Sequence, residues 1–237
     1  MILSIIVPLY NEEENIIPVL EMLQKVRYPS FIDSYEIVVV DDCSKDDSSK
    51  KVAKLAKVNN KIKLLHQERN LGKGAAVRRG FQESKGDLLL IQDADLELDP
   101  NDIPVLLSAM TKLKIQFVNG SRYLPGPIRP ISSYRRYLAN RVFTFLTSIL
   151  VNVKLTDMAC GYKLIDRKLL DHISLRENRF GFEAELILKA LRYQKNNIAE
   201  VPVQYFPRNA GEGKKLKNFD GIKMLWTIFK YGCLRLN

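Results

Sequence analysis

The chain has 237 residues, of which 46% are hydrophobic, 27% charged and 9% aromatic, and its formal net charge is +10. Such a chain can bury a sizeable core, which argues against disorder, and three scattered cysteines with two histidines argue against a disulfide framework or a zinc site. The basic balance, with a pI of about 9.4, suggests a polyanionic partner: nucleic acid, an anionic membrane face or phosphorylated ligands.

The N-terminal run "MILSIIVPLYNEEEN" has no basic leader and meets acids at once, so it reads as a first strand over Ile2–Val7, not as a signal peptide. Glu12–Val26 has helical spacing and opens with acids, which suit a helix N-terminus. Strands follow at Glu36–Val40, Ile62–Leu65, Asp87–Ile91 and Ile115–Val118, with helices at Asp46–Val58, Gly74–Ser84 and Ile103–Leu113 between them. Continuous apolar strands alternating with helices predict an α/β fold with a mostly parallel sheet covered on both faces. In such sheets ligands lie beyond the carboxyl ends of the strands.

The second half is less regular. "YLPGPIRPISS" reads as a loop, Tyr134–Leu150 as a helix, and "CGYKLID" and "IAEVPVQYF" as strands. Helices are expected at Arg167–His172 and Phe182–Tyr193 and again from Phe219 to Leu236. The most apolar stretch, "VFTFLTSILVNV", is too short for a span, since a bilayer needs about 20 apolar residues. A reducing, cytoplasmic setting fits the cysteine usage.

Three clusters sit at expected strand ends. "LLLIQDADLELDP" turns from four apolar residues into Asp93, Asp95, Glu97 and Asp99. Carboxylates packed together repel unless a cation or water separates them, and hard oxygens suit Mg²⁺ or Mn²⁺. A lone pair of this kind is more often a solvated acidic loop. "EIVVVDDCS" ends in Asp41-Asp42, which could accept from a ribose or a base N–H, or cap the next helix through Ser44 or Asp46. "RNLGKGAAVRRG" is neither a P-loop nor GxGxxG, and by itself marks a turn and a helix N-terminus near phosphates.

Together, "SIIVPLYNEEENI", "IVVVDDCSKDDS", "RNLGKGAAVRRGF", "GDLLLIQDADLELDP" and "NGSRY" resemble the inverting GT-A glycosyltransferases of family 2. "TDMACGYKLIDRKLL", "FGFEAELILKAL" and "EVPVQYFPRNAGEGKK" resemble most the polyprenyl-phosphate hexosyltransferases, such as dolichyl-phosphate mannose and glucose synthases. The resemblance implies a single GT-A domain, with residues 1–120 binding the nucleotide-sugar donor and 121–237 facing the acceptor and membrane. It implies that Pro8, Tyr10 and Glu12 border the nucleotide and that Asp42 holds base or ribose. Asp93, Ala94 and Asp95 would meet the metal–diphosphate, with Asp93, Asp95 and Glu97 as metal ligands, Glu97 standing where the lipid-phosphate enzymes often place Gln as a further ligand. Arg122 would face the phosphates, Arg208 and Lys214 would grip the diphosphate or the acceptor phosphate, and Asp157 matches an acidic position of varying role. "DMACGYK" leans the donor toward UDP-glucose or a related UDP-hexose over GDP-mannose.

The chemistry also follows from the residues. Cleaving a sugar–diphosphate bond leaves charge that a divalent cation and Arg or Lys can offset. A sugar-hydroxyl acceptor would need a base, for which Asp157, Glu183 or Glu185 are candidates. A lipid monophosphate, with a second pKa of about 6, needs none. Between Arg122 and Lys154 stand six cations and no acid, interleaved with apolar residues, as in a helix lying on an anionic membrane. The last helix adds Lys223, Lys230 and Arg235 beside Leu225, Trp226 and Phe229.

The leading expectation is therefore a hexosyltransferase from a nucleotide sugar to polyprenyl phosphate, peripheral on the cytoplasmic membrane face. Its own basic helices or a membrane-anchoring partner would hold it there. The alternatives are a hydroxyl-acceptor transferase in polysaccharide or lipopolysaccharide assembly, and a non-catalytic nucleotide-sugar-binding subunit. No nucleic-acid partner is expected, because the Lys-rich stretch 50–63 reads as a solvated helix face and RNP1 is absent. His66, His172 and Cys160 are expected to be structural.

Overall fold

The computed structural model describes residues 1–125, 133–195, 197–208 and 218–235. The apolar runs become strands β1 (Ile2–Leu9), β2 (Ser34–Asp41), β3 (Ile62–His66), β4 (Leu88–Ile91) and β5 (Phe117–Ser121). β6 (Lys163–Asp166) and β7 (Ala199–Pro202) complete a seven-stranded sheet of order β3-β2-β1-β4-β6-β5-β7. β6 is the strand that runs against its neighbours, pairing antiparallel with both β4 and β5. β1 pairs in parallel with β2 and β4, and β5 in parallel with β7.

Side chains on a strand alternate between faces. Leu3, Ile5, Val7 and Leu9 of β1 therefore enter one core layer, with α1 (Ile16–Lys25) and α4 (Ile103–Leu113). Ile6 enters the opposite layer, with α3 (Lys73–Glu83) and α7 (Gly181–Tyr193). α2 (Ser48–Val58) crosses from β2 to β3, and the short α6 (Arg167–Asp171) follows β6. α5 (Tyr134–Val151) and α8 (Asn218–Gly232) pack side by side on the second layer, with Gly221 close to Phe143 and Gly232 close to Leu150.

Most boundaries shift by a few residues from expectation, and two of the shifts lie at the ligand side. α1 starts at Ile16, four residues after the predicted Glu12. The reason is local: Asn11 adopts a left-handed φ of 48°, and the Glu12 N–H donates to Ser48 Oγ at 2.8 Å. The acids thus leave the helix and turn toward the sheet end. β6 keeps only Lys163–Asp166 of "CGYKLID", because residues 157–161 form a loop over the end of β4.

Candidate active site

The carboxyl ends of β1, β2 and β4 open onto a cavity of about 580 Å³. Pro8, Tyr10, Glu12, Asp42, Asp93, Ala94, Asp95, Glu97, Arg122 and Arg208 all line it. Asp157 does not, and Lys214 lies outside the described residues. The cavity continues between α5 and α8, where Arg136, Phe143, Gly221 and Met224 form its wall.

The acids after β4 face two cations. Lys73 Nζ lies 2.7 Å from Asp93 Oδ1 and 2.9 Å from Glu183 Oε1. Burial opposes charge on this lysine, but those two carboxylates outweigh it and raise its pKa. Arg208 donates to both oxygens of Glu12, at 2.9 and 3.2 Å, and to Asp95 Oδ2 at 3.1 Å. Burial, then the charges of Asp93 and Glu97, push the Asp95 carboxyl up to about 6 in spite of Arg208. Its ionised form therefore has room for more positive charge.

Glu97 faces Arg208 too, with Oε1 3.8 Å from its Nε. It accepts from the Tyr205 hydroxyl at 3.0 Å and from the Arg208 backbone N–H at 3.1 Å. The Phe206 N–H donates to the Glu97 carbonyl at 2.9 Å, and Leu98 bridges Tyr205. Glu97 thus lines the cavity and also holds the 205–208 segment, which delivers Arg208 to it.

Asp42 lines the cavity and shapes the turn beside it. Its carboxylate accepts from Gln67 Nε2 at 2.8 Å and from the N–H groups of Leu71 and Gly72 at 2.7 and 2.8 Å. The helix-capping role falls to Asp46, which accepts from the Ser48 N–H at 3.0 Å.

Asp157 is taken up by Arg122 and Asn140. It is fully buried and accepts from Arg122 Nε and Nη2 at 2.7 and 2.9 Å, from the Arg122 N–H at 3.0 Å and from Asn140 at 2.8 Å. Burial alone would raise its pKa, but the Arg122 charge and these hydrogen bonds hold it below the usual carboxylate range. Its effect on the cavity is to aim Arg122, whose guanidinium also lies 5.1 Å from the Tyr205 ring centre. Glu185, another candidate base, is fully buried and accepts from Arg176 N–H, Glu177 N–H and Lys189 Nζ.

Sequence reasoning missed Lys73, the buried Lys163 and the reason for Gly72 and Gly74. Lys163 donates to the carbonyls of Cys160 and Met158 at 2.6 and 3.2 Å and to Asn119 Oδ1 at 3.2 Å. It ties down the 157–161 loop, which passes so close to Asp93 that a Cβ on Gly161 would lie 2.1 Å from Asp93 Oδ2. The two glycines of "NLGKG" admit the 177–179 backbone, since a Cβ on Gly74 would meet the Glu177 carbonyl at 2.4 Å. Ala75 N–H then donates to the Asn178 carbonyl at 3.0 Å, so this helix N-terminus holds protein and not phosphate. The signal was the spacing of Lys73 one residue after Gly72. It points nowhere without the partner segment 100 residues later.

The other bland expectations agree with the structure. Cys160 is fully buried, and burial pushes its thiol up to about 12. His172 stacks on Tyr193 at 4.7 Å.

The family described as Glycosyl transferase family 2 matches residues 4–174. The chain belongs to that family. It is 33% identical, over 99% of its length, to a dolichyl-phosphate beta-glucosyltransferase of Trichomonas vaginalis, and 34% identical, over 92%, to that of Homo sapiens. A dolichol-phosphate mannosyltransferase of Pyrococcus furiosus is 29% identical over 98% of the chain. The chain spans 74%, 70% and 64% of these three relatives. In fold it is similar to glucosyl-3-phosphoglycerate synthase of Mycobacterium tuberculosis, solved with Mn²⁺, UDP and its product. That similarity has a TM-score of 0.72 at 19% identity and covers 97% of this chain and 79% of the other. The GT-A architecture expected from sequence is therefore the architecture found.

The acids also fit a divalent cation in part. Among the described residues no three Asp, Glu, His or Cys side chains gather to hold a metal alone. Mg²⁺ and Mn²⁺ commonly take one or two carboxylates and complete their shell with substrate phosphates and water. Asp93 and Asp95 match that donor set.

Proposed function

We propose that this glycosyltransferase moves a hexose from a nucleoside-diphosphate sugar to a polyprenyl phosphate of the dolichyl type, with inversion, at a membrane surface. The observation that carries this reading is the commitment of the candidate bases. Glu183 pairs with Lys73, and Asp157 and Glu185 are buried and hydrogen-bonded throughout. A sugar hydroxyl would find no ready base among them, whereas an ionised lipid phosphate needs only cations to hold it. The names of the relatives support the acceptor, and the higher identity to the glucosyl enzymes supports a UDP-hexose donor.

In this reading residues 1–120 supply the donor side and 121–237 the acceptor side. Asp93 and Asp95 would hold Mg²⁺ or Mn²⁺, which neutralises charge on the departing diphosphate. Arg208, released from Glu12 and Asp95, would bind diphosphate oxygens, while Lys73 stays on Glu183. Arg122, kept in place by Asp157, faces the incoming phosphate.

The membrane is approached through α5 and α8. Tyr134, Leu138, Val142, Phe145 and Ile149 form an exposed stripe on α5, and Ile222, Leu225, Trp226 and Phe229 another on α8. Exposed apolar stripes flanked by Arg135, Arg141 and Lys223 suit an anionic bilayer face, which the acceptor shares. No helix among the described residues is long and apolar enough to cross a membrane.

The test is transfer of labelled hexose into organic-extractable lipid from UDP-glucose and GDP-mannose. A β-linked hexosyl phosphate is expected from wild type. Asp95→Asn should lower the rate by at least about 10²-fold with unchanged folding. Equal transfer to free sugar hydroxyls in the absence of lipid phosphate would refute the acceptor assignment.

A further inference from the structure

A second cavity of about 410 Å³ adjoins the one described above, sharing Asn70, Arg179 and Phe180 with it. Gly221 and Met224 face the first, and Lys223 and Thr227 face the second. The opposite wall is the segment 176–181, from which Arg176 and Arg179 reach the cavity three residues apart. No hydrogen bond or ion pair holds the Arg176 guanidinium among the described residues, whereas the Arg179 charge acts on Asp42 across the first cavity. Glu177, the acid on the same wall, gives its carboxylate to Lys230 at 3.0 Å and to the Tyr231 hydroxyl at 3.1 Å, so it does not neutralise them.

The segment that carries the arginines is pinned. Arg78 donates to the Glu177 carbonyl and to Asn178 Oδ1, and Glu185 accepts from the N–H groups of Arg176 and Glu177. A guanidinium on a fixed backbone, with Arg179 beside it and Lys223 on the facing wall, is a match for phosphate oxygens. The position says which phosphate. Lys223 follows Ile222 and precedes Leu225 and Trp226, so the cavity lies along the edge of the α8 stripe.

We propose that this second cavity binds the phosphodiester headgroup of an anionic glycerophospholipid and so fixes how the protein sits on the bilayer. The inference rests on the membrane-docking reading above. A lipid held here would set the roll of α8 about its axis, leaving the mouth between α5 and α8 over the membrane. A diffuse basic surface would give attraction without that orientation.

The test is vesicle flotation of the full chain with pure phosphatidylcholine and with phosphatidylcholine carrying phosphatidylglycerol. Trp226, the single tryptophan and 59% exposed, reports apolar insertion by its emission. Wild type should bind the anionic vesicles more tightly, with a blue shift. The double variant Arg176→Gln/Lys223→Gln should lose roughly tenfold in affinity for the anionic vesicles and little for the neutral ones. A matched control, Lys54→Gln/Lys57→Gln on α2, removes the same charge and should lose no more than about twofold. Arg176→Lys, which keeps the charge, should recover part of the preference.

Equal losses in the two double variants would overturn the site in favour of diffuse electrostatics, while docking through the stripes would stand. An unchanged preference in the Arg176 variant would do the same. No binding and no shift for wild type on either vesicle would end both the docking reading and this site.

Discussion

The Arg122–Asp157 pair couples stability to the acceptor side of the cavity. Removing one partner of a buried ion pair leaves the other uncompensated, at a cost on the order of 3 kcal/mol. Asp157→Asn is therefore expected to lower stability by about that much at pH 7 and to weaken transfer through Arg122. The folded pKa of Asp157 lies below its unfolded value, near 3.9. The wild-type advantage is then fully present above about pH 4 and is lost as pH falls through the folded pKa. Denaturant titrations of both proteins from neutral to strongly acidic pH check this, and a gap that stays constant would contradict it. The motif around Asp157 drew attention to that residue. Its role was not legible, because four donors converge on it from Arg122 and Asn140, which the sequence keeps 35 and 17 residues away.

Among the elements, α3 depends on a long-range contact at its first turn. A Cβ on Gly74 would lie 2.4 Å from the Glu177 carbonyl and 2.7 Å from Phe182 Cβ, so one side must move. Overpacking of this kind costs roughly 1–3 kcal/mol. Gly74→Ala should show that loss in thermal unfolding, together with reduced transfer because Lys73 shifts from Asp93 and Glu183. A variant as stable and active as wild type would show that the 177–179 segment yields freely. The strand and helix types of the first half were legible because their apolar runs and helical stripes are long. The start of α1 was not, since acids that usually favour a helix N-terminus were drawn out by Ser48 and Arg208. The single antiparallel strand β6 was equally hidden, because its direction is set by neighbours β4 and β5 and by no local pattern.

For the whole molecule, the charge of +10 and the stripes of α5 and α8 act together at the surface. Phe145→Asp places a charge in the middle of the α5 stripe, at a residue 64% exposed, and should leave the fold intact. Vesicle binding should fall about tenfold or more while the melting temperature holds; full binding would remove α5 from the membrane face. The sequence already carried this surface, because a run of cations without acids between Arg122 and Lys154 is visible as composition. The second cavity was invisible, since Arg176 and Lys223 meet only once α8 packs beside α7. The most direct measurement of the central claim is nucleotide release from UDP- and GDP-sugars with Mg²⁺ or Mn²⁺, with and without polyprenyl phosphate, and with a chelator. Release that requires the lipid phosphate and stops on chelation is predicted; release that proceeds equally without the lipid, or donor binding with no lipid-dependent release, would contradict it.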